Sequence, residues 1–107
     1  MGVLLLDDDD ELPHSPDEGE ATLAAEIGVA GIDAIDASLL EHAQLGWLKV
    51  ARVVLDALKA SGLPPSDDSH IRLHVRRVIG LVNAGSLVAQ GNLRKPRWSE
   101  VRLTEKP

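Results

Sequence analysis

His70 and His74, in SHIRLHVRR, have the i, i+4 spacing with which one helix can offer two imidazoles to a divalent cation. A third ligand would have to come from elsewhere in the chain, and H-E-x-x-H, which adds a general base, is missing. The pair therefore reads as two helix-surface histidines, and no metal or cofactor is expected. A second feature is the carboxylate run Asp7 to Asp10, followed by Glu11. It lacks the alternating oxygen ligands, the glycine and the bidentate closing glutamate of a calcium loop, so it reads as a solvated acidic segment. The third is basic: GNLRKPRWSEVRL, residues 91–103, carries Arg94, Lys95, Arg97 and Arg102 around Trp98. These types suit phosphate or carboxylate recognition. G-x-S-x-G and P-loop motifs are missing, and the lack of cysteine removes disulfides and thiolate metal sites. No catalytic residue is nominated, and the chain is expected not to be an enzyme.

The basic stretch belongs to a protein of 107 residues with net charge −6. Residues 1–68 hold fifteen acids and three bases, a net −12, whereas residues 69–107 hold two acids and eight bases, a net +6. Such a split fits a basic binding face with an acidic tail, or two halves that attract each other within one chain or across a dimer. The second is favoured, because an acidic tail competes with any nucleic acid for the basic face.

The elements that must position these groups follow from the apolar pattern. The length suits one domain, and 44% hydrophobic residues suffice for a core. Without Phe or Tyr, that core is Leu, Val, Ile and Ala, with Trp47 and Trp98 as its only large anchors. Such a core favours helices packed on a small sheet. The segment VLLL, residues 3–6, suggests a short strand, and the acidic, Pro-containing stretch after it a loop. EATLAAEI, residues 20–27, forms a short helix ending at GVAG. The next helix begins near Asp36, where Ser38 and Glu41 have capping-box spacing, and Gly46 breaks it. WLKVARVVLDALKASG, residues 47–62, reads as the central core helix, polar only along Lys49, Arg52, Asp56 and Lys59.

A further helix is expected over residues 67–84, capped by Asp67, Asp68 or Ser69 and ended by Gly85. Ile71, Val75, Val78, Ile79 and Val82 form its core stripe. Leu73, Arg77 and Leu81 make a second, partly apolar side that the N-terminal segment or a second subunit must cover, and they are nominated as interface residues. Residues 86–90 and 98–104 then read as two strands. Leu87, Ala89, Ser99, Val101 and Leu103 face inward, and Trp98, Glu100 and Arg102 take the other face. The expected fold is mainly α with a small C-terminal β-hairpin, a winged-helix-like α+β arrangement. Residues 1–31 are a partly flexible acidic segment and residues 32–107 the helical domain.

The blocks IDASLL, WLKVARVV, HVRRVIGLVNAGSLVAQGNL and PRWSEVRL together resemble a bacterial family of uncharacterised domains marked by W-x-K-V-A-R-V-V and a closing SEVRL. The resemblance spans residues 32–104. It implies a shared small helical fold with a terminal hairpin, and neither catalytic residues nor a ligand.

The function expected is that of an interaction or regulatory domain that self-associates, most simply as a homodimer, with a further protein partner open. The alternative is a DNA-binding winged helix. Its helix at 70–84 would bring Arg72 and Arg76 to the duplex, and Arg94, Lys95 and Arg97 at the hairpin tip would meet the backbone. A sequence pI near 5.0 and only three arginines on that helix weigh against DNA. No apolar run approaches the roughly 18 residues of a membrane span. GVLLL is too short for a signal-peptide core, so a cytoplasmic location is expected.

Overall fold

Asp17 opens the first helix by accepting the backbone N–H of Glu20 at 2.8 Å, and Glu18 and Glu20 place negative charge at the positive end of the helix dipole. That helix, α1, runs Glu18–His42 in a computed structural model that describes residues 11–64 and 67–104. The expected strand at 3–6 and the run Asp7 to Asp10 lie outside the described residues. Gly28 interrupts α1 with φ 64° and ψ −168°, a conformation open only to glycine without strain. The stop expected at GVAG is therefore a kink, after which the helix resumes. Ile35 and Leu39 carry it on by burying an i, i+4 stripe in the core, and Ala43 extends that stripe just past the last turn. Ser38 is consequently no cap, and its carbonyl faces His42 Nδ1 at 2.8 Å inside the last turns. The expected boundary between residues 31 and 32 falls within α1.

β1 is the two-residue strand Leu48–Lys49, and α2 follows directly as Val50–Ala60. The helix expected from Trp47 starts three residues late because Leu48 and Lys49 pair with Val101 and Glu100. α3, Asp68–Asn83, is capped by Asp67, whose carboxylate accepts the His70 N–H at 3.1 Å. β2, Leu87–Gly91, and β3, Ser99–Leu103, form the hairpin, joined through a 3-10 turn at Pro96–Trp98. Among the described residues the strands form a three-stranded antiparallel sheet of order β1-β3-β2, with β1 added to the expected two-stranded hairpin. Among the described residues, three α-helices with a small C-terminal sheet make the fold mainly α, in winged-helix-like order.

Val50, Val53, Val54, Ala57 and Leu58 of α2 join Ile71, Val75 and Val78 of α3 in an aliphatic cluster, closed on the sheet side by Leu87 and Val101. The inward set of β2 and β3 is the expected one, with Leu87, Ser99 and Val101 buried and Ala89 and Leu103 half-buried. The tryptophans are not its anchors: Trp98 is 55% and Trp47 37% exposed. Trp98 directly precedes the inward Ser99, so alternation turns its ring outward, and Trp47 stands just before β1. Among the described residues no helix is long and apolar enough to cross a membrane.

Candidate binding surface

The acidic and basic halves meet inside one chain. Glu20, 1% exposed, accepts from Arg76 at both carboxylate oxygens, one of them from Nη2 at 3.0 Å, and Arg76 Nη1 also donates to the His14 carbonyl at 3.1 Å. Arg77 is bidentate to Asp36, both bonds at 2.9 Å. Those bonds raise the Arg77 pKa further above its ordinary value, against the opposing effect of burial. Arg72 donates to Asp68 at 3.0 Å and lies 3.9 Å from Asp17. At the hairpin, Glu11 accepts from Asn92 at 2.8 Å and from Arg94 at 2.6 Å. The Asn92 bond and the Arg94 and Lys95 charges hold the Glu11 carboxyl below its usual range, despite some desolvation. Next to it Leu12 is fully buried, and its N–H donates to the Arg94 carbonyl at 2.7 Å.

This pairing decides the surroundings of α3. Leu73 and Leu81, nominated as interface residues, are 3% and 6% exposed in this chain's own core, and Arg77 is held by Asp36. Of the two covers the sequence left open for that side, α1 is present. Only Asp68 and Asn83 of α3 are exposed, so the helix presents no continuous free face to a DNA groove, and Arg72 and Arg76 are each paired with a carboxylate.

His74 is a core residue, not a surface one. It is buried, and its neutral ring donates from Nδ1 to the His70 carbonyl at 2.7 Å. Burial lowers its pKa. The His70 and His74 rings stand 5.8 Å apart. An open groove of about 500 Å³ between the starts of α1 and α3 is lined by Glu18, Glu26, Asp67 and His70 among others. Among the described residues no group of three or more His, Asp or Glu side chains could hold a metal ion.

The outer face of the sheet remains. The register sets Val88 opposite Arg102 and Gln90 opposite Glu100, which in turn faces Lys49 across β1. Gln90 donates to Glu100 at 2.6 Å. Trp47 and Trp98 mark the two ends. Arg102 lies 5.0 Å from the Trp47 ring centre, and Lys49 and Arg97 lie 5.8 and 5.6 Å from that of Trp98. Leu45, 62% exposed, sits just before Trp47 in the chain. Among the described residues, two large amphipathic rings thus share a surface with Lys49, Arg97, Arg102 and Glu100. Trp98, Glu100 and Arg102 were legible as an outward set from the alternation of the closing strand, and Arg97 as part of the basic hairpin tip. Trp47 and Lys49 were missed because residues 47–62 carry one unbroken helical pattern, and nothing local signals that β3 captures the first turn.

No family model, curated protein or solved structure matches this chain.

Proposed function

We propose that the chain is a non-enzymatic interaction or regulatory domain that self-associates and makes its contacts through the outer face of the sheet. The observation that carries this reading is the exposure of Trp47 and Trp98, each with a cation over its ring. The few residues that dominate the energy of protein contacts are enriched in tryptophan and arginine. Homodimer formation is supported by charge. Glu18, Glu26, Asp33 and Glu41 are exposed along α1, so one copy offers carboxylates to the basic sheet face of the next. The reading includes a cytoplasmic location, and the resemblance to uncharacterised bacterial domains is part of it. The DNA-binding alternative would have to release Arg72 and Arg76 from Asp68 and Glu20, and Arg94 from Glu11.

Sedimentation equilibrium over a wide concentration series tests self-association. A reversible dimer weakened by Trp98→Ala and by added salt is expected. A strict monomer at the highest attainable concentration removes self-association.

A further inference from the structure

The two edges of the sheet are unlike. β1 is two residues long, includes Lys49 and runs straight into α2. Shortness and a lysine are ordinary protections of a sheet edge. β2, residues 87–91, reads LVAQG and carries no lysine, no proline and no charge. Its open side follows from the alternation of an antiparallel ladder. Thr104 donates to the Ser86 carbonyl at 3.4 Å, whereas Leu103, one residue earlier, donates to the Gln44 carbonyl at 2.7 Å on the other side of β3. The register then gives Ser86, Val88 and Gln90 the bonds to β3, and turns the amides of Leu87, Ala89 and Gly91 away from it. Among the described residues, no backbone bond reaches these outward amides from beyond the sheet.

We infer that β2 is the two-fold contact of a homodimer, pairing antiparallel with β2 of a second copy so that the two sheets join edge to edge. The inference rests on the self-association proposed above, and it adds the sheet edge to the contact made by the outer face. Pairing centred on Ala89 sets Ala89 opposite its own copy and Leu87 opposite Gly91, so the outward groups of one strand meet those of the other. Moving the centre by one residue strands Leu87 or Gly91 past the end of the partner strand. On the outer face Val88 lies opposite Gln90, and no like charges are opposed.

Charge favours a second copy in this orientation. β2 follows closely on the C-terminus of α3, whose last turn holds no basic residue to answer its partial negative charge. The other end of β2 leads into the loop that carries Lys95. Antiparallel pairing brings the end of one strand beside the start of the other, so each basic loop comes next to the other copy's α3 C-terminus. Arg94 keeps Glu11 throughout, and no ion pair of the folded chain has to open.

Amide hydrogen exchange read by NMR tests the contact on the unaltered chain, at a dilute and a concentrated setting on either side of the sedimentation midpoint. Val88 and Gln90 are expected to be protected at both. Leu87, Ala89 and Gly91 should slow by about tenfold or more only in the concentrated sample. Ala89→Pro removes the outward N–H at the two-fold and no bond to β3, and proline is accepted at such edge positions. It should weaken the dimer by about tenfold or more, with the fold verified by retained protection of the α3 amides. If the variant does not fold, the alternating exchange pattern decides alone. A dimer whose Ala89 amide exchanges equally fast in both samples overturns the inference and leaves self-association standing, as does a folded Ala89→Pro chain that dimerises undiminished. Slow exchange at Ala89 that ignores concentration means that the edge is covered within one chain, and overturns it too. A strict monomer removes self-association itself, and this contact with it.

Discussion

Arg77 on α3 and Asp36 on α1 form a two-bonded pair, Nε to Oδ1 and Nη2 to Oδ2, both at 2.9 Å, across 41 residues of chain. The fork fixes the rotation of α1 about its axis as well as its distance from α3, because both guanidinium bonds must be satisfied together. It lies beside Leu73 and Leu81 on α3, so the same placement covers the second apolar side of that helix. Asp36→Ala should destabilise the fold by about 1–3 kcal/mol, since it leaves a half-buried guanidinium without its partner. Urea unfolding measures this. Arg77→Lys should recover only part of the loss, because an ammonium cannot make the fork.

Glu20 makes a sharper case, being 1% exposed against an Arg76 side chain that keeps 22%. Glu20→Ala leaves that arginine over a buried gap, and a loss of about 2–4 kcal/mol is expected. The double variant Glu20→Leu with Arg76→Leu should be more stable than Glu20→Ala alone. A double-mutant cycle by chemical denaturation decides it, and additivity of the two single changes would show that the ion pair contributes no coupling.

Stability should fall on mild acidification through His74. Its folded pKa lies below the ordinary 6.5, mainly because burial disfavours the imidazolium. Between the two values the unfolded chain binds more protons than the folded one, so stability is complete above 6.5 and is lost as pH drops toward the folded value. The urea midpoint should therefore decline from neutral pH down through 6.5, and the decline should flatten in His74→Gln. A separate loss at lower pH should follow from Glu11, whose carboxyl is held below its ordinary 4.5 and contributes stability only above its folded pKa.

Leu12 ties the N-terminal segment to the core, and Leu12→Ala should cost about 2–5 kcal/mol, as deletions at fully buried leucines do. Retained stability in thermal unfolding would show that the segment is not docked.

Gly91 ends β2 at φ 87°, and a Cβ there would stand 2.7 Å from the Trp98 carbonyl oxygen and 3.1 Å from Ser99 Cα. Gly91→Ala should destabilise by about 1–3 kcal/mol and disturb both indole resonances, because the obstruction is backbone on the strand that carries Trp98.

The sequence by itself determined the elements whose patterns are local. The stripe Ile71, Val75 and Val78, a cap among Asp67, Asp68 and Ser69 and the turn at Gly85 are dictated within a few residues, and α3 is found where they place it, with Asp67 as the cap. The alternation of β2 and β3 likewise determined which side chains face in, and the charge split announced an attraction between the two halves. Tertiary structure decided what those local rules leave degenerate. Leu48 and Lys49 fit a helix, and the backbone of β3 turned them into a strand because Val101 and Glu100 offered hydrogen bonds. Gly28 fits a helix end, and the burial of Ile35 and Leu39 against α3 carried α1 past it. The acids could have met the bases of the same chain or of another, and the closeness of α1 to α3 joined them within one. The face carrying Trp47 and Trp98 exists only because strands distant in sequence are neighbours in space. Periodicity describes one element at a time, whereas a surface is set by the pairing of several.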